Sequence, residues 1–325
     1  GVVLAPMAGV TDAPFRRICL RRGASLAVGE MASSKEGLRT TDMTMRRLAC
    51  DAQDQLPVVQ LLGADPLEMA SAAQTAVACG AKIIDINFGC PARVVCGKAC
   101  GSAIMREPQL AQSIMRSVAD AVSVPVTVKM RTGWDEHSKN APLLARMAQD
   151  AGLSAVTVHG RTRAQRFSGT VSLSDIAAVV HAVTIPVIAN GDIDGPQAAL
   201  RALRASGAAA VMVGRAARGN PWIFQRIRAV CSGRPDPGEP SLDERRLTVF
   251  EHLEEHLKYW MSEGCQERYA VRSFRMHLRP YLKEAACADA SGAAGRLLDV
   301  IVRTDEAECL RENLETFFSS LRETN

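Results

Sequence analysis

Eight short β-branched, apolar runs recur down the first 215 residues, and no other feature constrains the fold as much. They are Val2–Ala5, Leu26–Val28, Val58–Leu61, Ile83–Ile86, Val126–Val128, Ala155–Val158, Val187–Ala189 and Ala210–Val213. Helix-start signals lie between them: Asp65 with Pro66, Glu107 with Pro108, Ser172 with Asp175, and Gly195 with Pro196. Each pairs a cap residue or a first-turn proline with the run that follows. Strand and helix alternate at intervals of roughly 25–40 residues, the pattern of βα units on a parallel sheet. Eight such units match a closed (β/α)₈ barrel better than an open doubly wound sheet. An open sheet would show fewer strands and a glycine-rich dinucleotide turn, and neither that turn nor a Walker-type loop is present.

The pattern breaks at Gly233–Ser241 (GRPDPGEPS), where three prolines and two glycines forbid a continuous element. Beyond it Leu247, Phe250, Leu253, Leu257 and Trp260 recur at helical steps. The expected division is a barrel over 1–232, a linker over 233–241, and an all-helical domain of about four helices over 242–325. The 325 residues are 47% apolar, ample for a core. No stretch approaches the roughly 18–20 apolar residues of a membrane span. Ten cysteines show no C-x₂-C pair, and Cys19 and Cys79 fall in apolar helical runs, where free cysteine behaves as a small hydrophobe. Neither a disulfide framework nor a metal site is expected. With no signal peptide visible, the reading is a monomer in a reducing cytoplasm. Net charge is unevenly placed, +8 over the first 240 residues and −4 over the rest.

In a barrel of this kind chemistry sits at the C-terminal ends of the strands. Here those ends carry Pro6 and Met7, Glu30, Gln60, Asn87, Lys129 with Arg131, His159, Asn190 with Asp192, and Gly214 with Arg215. One polar residue at a strand end means little, but a full ring argues for a ligand at the mouth. Glycines after the last two strands (Gly191, Gly214), each before a helix start, suit a phosphate bound by backbone N–H groups, with Arg215 as a cation. Lys129 suits a Schiff-base nucleophile, a phosphate ligand or a cation beside an electron-rich cofactor, or is a solvated strand end. His159 is equally open.

Strand four runs into Asn87, Phe88, Gly89, Cys90 and Pro91, which should leave Cys90 exposed and mobile on a loop with Arg93, Gly97, Lys98 and Gly101. As a hydrolase nucleophile it would need a paired histidine, and no residue stands out to orient His159. As a proton donor it would need only its thiol, mostly protonated near neutral pH. Arg93 and Lys98 pull toward the thiolate, so the resting form is open at this level. Cys96 and Cys100 add thiols to the same loop and raise the question of a Cys90–Cys96 bond under oxidation.

The chain closely resembles the tRNA-dihydrouridine synthases, specifically the bacterial B-type, from Leu4 to about Phe318. Seven ordered motifs carry the likeness: Ala5–Asp12 (APMAGVTD), Val59–Gly63 (VQLLG), Asp85–Pro91 (DINFGCP), Val126–Trp134 (VTVKMRTGW), Val158–Arg163 (VHGRTR), Ile188–Asp192 (IANGD) and Met212–Ala217 (MVGRAA). The resemblance implies FMN held by the backbone at Pro6, Met7 and Ala8, with Gln60 at the ring edge and Lys129 facing its N1–O2 side. It implies His159, Asn190, Gly191, Asp192, Gly214 and Arg215 around the phosphate. It further implies NADPH (or NADH) as reductant, Asn87 and Arg131 as substrate contacts, and Cys90 as the acid that protonates C5 of uridine.

In the tail, Arg268, Arg272, Arg275 and Arg279 recur at steps of four, three and four and so share a helix face. A charge stripe is as often a solvated surface; with the resemblance it reads as a tRNA backbone contact. Pro280 and Met276 depart from the B-type pattern, which expects an aromatic and a basic residue there. Two rivals stand beside this reading: a flavin barrel reducing a free pyrimidine, like dihydroorotate dehydrogenases, and an RNA-binding barrel without turnover. The arginine stripe weighs against the first, and Cys90, Lys129 and His159 against the second.

Overall fold

The computed structural model describes residues 1–39, 41–50, 56–289 and 292–322. Among the described residues nine strands form one all-parallel sheet: β1 (Val2–Leu4), β2 (Leu26–Ala27), β3 (Ala32–Ser33), β4 (Val58–Leu62), β5 (Ile83–Phe88), β6 (Val126–Arg131), β7 (Ala155–His159), β8 (Val187–Asn190) and β9 (Ala210–Val213). Their order is β2-β1-β9-β8-β7-β6-β5-β4-β3, and a parallel bridge from Val28 to Val58 joins the two ends. The eight expected staves are therefore present, with the second split into β2 and β3.

The split has a local cause. The N–H of Gly29 donates to the carbonyl of Val58 at 3.2 Å, then the chain leaves the sheet over Glu30 and Met31 and rejoins it at Ala32. Glu30 uses the excursion to accept from the Gly9 N–H and to meet Arg47 at 3.4 Å. Glu30 thus braces the loop after β1 and does not belong to the ring of residues lining the mouth.

The helix starts follow from their caps. Asp65 accepts from the N–H groups of Leu67 and Glu68, both at 2.9 Å, and Ser172 accepts from Asp175 at 3.1 Å. Glu107 and Gly195 make no side-chain cap, so proline at the first turn sets those starts alone.

The last barrel helix ends at Cys231 and the next begins at Leu242, after which the described tail holds helices Leu242–Ser262, Glu267–Ala288, Ala293–Ile301 and Ala307–Arg322. The tail has its own apolar core around Val249, Phe274, Leu278, Tyr281, Leu314 and Phe317. Trp222 joins that core although it precedes the proline-rich break, so packing crosses the sequence boundary. The junction is polar as well as apolar. The ring of Phe15 meets His252 and His277 at 5.5 and 4.9 Å, and Asp12 accepts from Trp260 Nε1 at 3.1 Å beside His256 Nδ1 at 3.2 Å. Burial works against a charge on Asp12, yet His256, with His277 and His252 behind it, holds that carboxyl well below the usual range. Asp12, His252 and His256 form the one His/carboxylate group close enough to share an ion among the described residues. Asp12 already caps the first helix through Phe15 and accepts from Trp260. No described helix is long and apolar enough to cross a membrane.

Candidate active site

Parallel register sets the chemistry-bearing residues side by side. Gln60 pairs with Asp85, Asn87 with Lys129, Arg131 with His159, and His159 with Asn190. A cavity of about 1310 Å³ opens above them. Fourteen of the fifteen residues expected at the mouth line it, Glu30 being the exception: Pro6, Met7, Ala8, Gln60, Asn87, Cys90, Lys129, Arg131, His159, Asn190, Gly191, Asp192, Gly214 and Arg215. Arg268, Arg272, Arg275 and Arg279 do not.

One wall is a directional hydrogen-bond chain. Thr127 donates to Asp85 at 2.6 Å, and Gln60 donates to the other Asp85 oxygen at 2.7 Å. Gln60 then accepts from Asn87 at 2.8 Å, and Asn87 accepts from the N–H groups of Gly89 and Cys90 at 3.1 and 2.9 Å. A carboxylate can only accept, so Asp85 fixes which way both amides face and hence where Cys90 begins its loop. Burial pushes the Asp85 carboxyl up, against the pull of Thr127, Gln60 and Lys129.

Cys90 is half-buried, not the exposed, mobile group its loop composition suggests. Its carbonyl accepts from Ser102 Oγ at 2.8 Å and from the Ser102 N–H at 3.1 Å, which ties the loop down. Burial pushes its thiol up, and the Ala92 N–H, Arg131 and Lys129 offset this only in part. The cations that bear on the sulfur are those two strand-end residues, not Arg93 and Lys98, and the resting form is the neutral thiol.

The opposite wall carries positive charge. Lys129 donates to Asn190 at 3.0 Å, and Asn190 donates to the carbonyl of Met212 at 2.8 Å. Burial, with Arg131 adding to it, pushes Lys129 down to about 8. Arg131 is nearly inaccessible; its guanidinium donates to the carbonyls of Gly89, Thr162 and Arg166 at 2.8, 3.0 and 2.7 Å. It therefore clasps the loops after β5 and β7 together. His159 is held neutral by burial and by the surrounding cations, and its buried Nε2 has no partner among the described residues.

Gly191 (φ +121°) brings the chain beside this histidine: a Cβ there would lie 2.8 Å from Val171 Cγ2 and 3.0 Å from His159 Cδ2. Asp192 follows with φ +49°. Its carboxylate is taken by Arg161, at 2.9 and 2.6 Å, with Arg215 at 3.3 Å, and Arg161 holds it below the usual range. What this turn offers a ligand is therefore backbone, while the acidic side chain is neutralised. Sequence reasoning passed over Arg161 as a site residue, although it stands inside the VHGRTR motif. It also passed over Phe167, an exposed ring with Arg131 and Arg215 at 5.6 and 5.2 Å from its centroid. An aromatic residue in so polar a segment was the available signal.

The tail stripe shares one face as expected, but its guanidinia are engaged. Arg268, Arg272 and Arg275 converge on Asp305, and Arg279 meets Asp299 at 2.9 Å. Three cations on one carboxylate leave that cluster net positive.

The dihydrouridine synthase (Dus) family model matches residues 3–320. The chain belongs to that family. Among similar proteins, a tRNA-dihydrouridine synthase B of Xanthomonas axonopodis pv. citri is 47% identical over 285 residues, covering 87% of this chain and 84% of the relative. That of Pseudomonas aeruginosa is 46% identical over 283 residues, covering 86% and 83%. That of Pseudomonas syringae pv. tomato is 42% identical over 322 residues, covering 98% and 91%. A solved morphinone reductase variant in complex with tetrahydroNAD superposes with a TM-score of 0.53 at 15% identity, covering 74% of this chain and 91% of that one. That likeness supports the barrel fold. Members of the Dus family thus share with this chain nearly the whole span from β1 to the last helix.

Proposed function

We propose that this Dus-family chain is a flavin-dependent enzyme that reduces the C5–C6 double bond of a D-loop uridine in tRNA to dihydrouridine, using FMN and NADPH. The observation that carries the reading is one cavity that gathers a neutral thiol, a buried lysine and a neutralised backbone turn. The residues fit FMN: the unpartnered His159 Nε2 and the Gly191 turn form a cradle that a Cβ would fill. His159, Asn190, Gly191, Asp192, Gly214 and Arg215 would hold the phosphate, the backbone at Pro6, Met7 and Ala8 the ring, and Gln60 and Lys129 its edge. When bound, FMN reduced by NADPH supplies the hydride for C6 of the uridine.

Cys90 gives its proton to C5. A carbanion there is far more basic than a thiolate, so the transfer runs downhill even from a thiol whose pKa is raised. Asn87 and Arg131 act on the substrate by fixing the Cys90 loop, since both side chains are engaged in it. Exposed Arg93, Arg166 and Arg218 rim the cavity and suit the phosphates of a nucleotide drawn out of its stack. The net positive cluster at Arg268, Arg272 and Arg275 would offer the tRNA backbone a second contact on the tail. Purified protein should be yellow, its flavin absorbance bleached by NADPH, and cells lacking it should lose dihydrouridine from mapped tRNA positions. Colourless protein that takes up no FMN would overturn the assignment.

Lys129 predicts a pH dependence whose sign is fixed. Its folded-state value of about 8 lies below the ordinary lysine value of about 10.4. The cost of its buried charge is full below pH 8 and fades as pH rises toward about 10.4, so flavin-free protein gains stability over that window. A negatively charged ligand beside Lys129 favours the protonated form. FMN affinity, followed by fluorescence quenching, should therefore fall as pH rises past about 8, and Lys129→Met should flatten the slope. Affinity that holds constant through that window in the unmodified protein would remove Lys129 from the flavin's edge.

Arg161 predicts a second effect. Arg161→Met leaves the Asp192 carboxylate beside the phosphate cradle with only the longer contact to Arg215. Asp192 is partly solvated, so the loss in FMN binding should be about 1–2 kcal/mol, roughly 5–30-fold in Kd. Adding Asp192→Asn should recover part of it. Unchanged FMN affinity in the single variant would show that the pair is no part of the cradle.

A further inference from the structure

We propose that Cys90 and Cys96 are a peroxide-driven modification site, in which Cys96 resolves an oxidised Cys90 as an intramolecular disulfide. The consequence for activity rests on Cys90 being the proton donor; the bond itself does not.

The geometry begins with access. Cys90 lines the cavity, open to a molecule the size of hydrogen peroxide, whereas Cys96 lies outside that lining, behind the Cys90 backbone. The Cys96 thiol donates to the carbonyl of Cys90 at 3.5 Å and lies 3.5 Å from Ser102 Oγ, which itself donates to that carbonyl. The resolving sulfur is thus anchored on the residue it would attack. A single helical turn, Arg93–Cys96, folds the chain back, and the N–H groups of Val95 and Cys96 both return to the Ala92 carbonyl. Gly101 (φ +61°) then passes close by, where an added Cβ would lie 3.1 Å from Cys90 Cβ and 2.8 Å from Val95 Cγ1. With no side chain at 101, space is left beside the Cys90 Cβ for its sulfur to turn. Cys96 is also close enough to help push the Cys90 thiol up, after burial. Cys100 instead directs its thiol to the Lys98 carbonyl at 3.2 Å. Cys90, Cys96 and Cys100 are free thiols.

The chemistry balances in two steps. Hydrogen peroxide transfers one oxygen to Cys90, giving Cys90–SOH and water. The Cys96 sulfur then attacks the Cys90 sulfur; the S–O bond breaks, an S–S bond forms, and hydroxide leaves with the Cys96 proton as a second water. Two thiols lose two electrons and one peroxide gains them. A half-buried neutral thiol makes the first step slow. The second is intramolecular and fast relative to further oxidation, which matters because a sulfenic acid left unresolved proceeds to sulfinic and sulfonic acids that ordinary thiols do not reverse.

The sequence makes the test clean. Trypsin places each cysteine in its own peptide, Ile83–Arg93, Val94–Lys98 and Ala99–Arg106. Flavin-loaded protein is treated with hydrogen peroxide, alkylated, digested and mapped by mass. The expected result is a linked pair of the first two peptides, with dihydrouridine formation lost in step with the linked fraction and restored by dithiothreitol. Cys100→Ser should link equally. Cys96→Ser should retain full activity before treatment, then accumulate Cys90 sulfinic acid and lose activity that dithiothreitol does not return. No linked pair, or a link from Cys90 to the Cys100 peptide, overturns the proposal. A Cys90–Cys96 link with undiminished tRNA reduction would uphold the disulfide and overturn Cys90 as the proton donor.

Discussion

Cys90→Ala protein binds FMN as tightly as the unmodified chain, is bleached by NADPH at the same rate, and forms dihydrouridine at least about 100-fold more slowly. The reasons lie in the rest of the cavity. His159 is neutral under all ordinary conditions, so it has no spare proton to give. Lys129 is committed to Asn190, and Asp85 is engaged on both oxygens beneath the floor. Cys90→Ser should be almost as slow, because an alcohol is a much weaker acid than a thiol. The two half-reactions are read separately: anaerobic bleaching of flavin absorbance, then dihydrouridine formed on unmodified tRNA in a single turnover. A Cys90→Ala variant that completes the second at the original rate would show that solvent, and not the thiol, protonates C5.

What could be read without coordinates followed from how local each signal is. The staves, helix starts and strand-end polar residues depend on neighbours within a few positions, so the runs and Asp65, Pro108 and Ser172 sufficed to place them. The gathering of Gln60, Asn87, Lys129, His159 and Asn190 was legible too, because a barrel forces the ends of its parallel strands onto one face. What escaped were pairings between loops. Nothing near Arg131 says that it will clasp three loop carbonyls, and nothing near Asp192 says that Arg161 will neutralise it. The electrostatics of Cys90 misled for the same reason. Arg93 and Lys98 are close in sequence, yet Arg131 and Lys129, some forty residues on, are the cations that reach the sulfur. The arginine stripe was correctly placed on one face, but Asp305 and Asp299 come from distant sequence to meet it.

Pro280, one of the departures from the B-type pattern, leads to the second large effect. It stands inside helix Glu267–Ala288, where proline removes a backbone donor and ordinarily costs about 3 kcal/mol. Here it packs against Gly219 of the barrel, so closely that a Cβ on Gly219 would lie 2.4 Å from Pro280 Cβ and 2.5 Å from the Tyr281 nitrogen. Both are rigid, and neither can swing aside as a flexible side chain would. Gly219→Ala should therefore destabilise the protein by about 2–5 kcal/mol, combining the strain of φ +69° with an overlap that forces the helix off the barrel. Tm should fall by on the order of 10 °C. The barrel keeps its own core and its cradle, so FMN binding should survive, while tRNA reduction falls through a raised KM as the tail shifts. Gly238→Ala is the matched control. It too sits at positive φ (+82°) but has open space around the added Cβ, so it carries the backbone strain alone, about 1 kcal/mol. Equal Tm losses in the two variants would mean that the close approach to Pro280 does not hold the tail to the barrel. A loss confined to Gly219→Ala, with flavin retained and KM for tRNA raised, would show that it does.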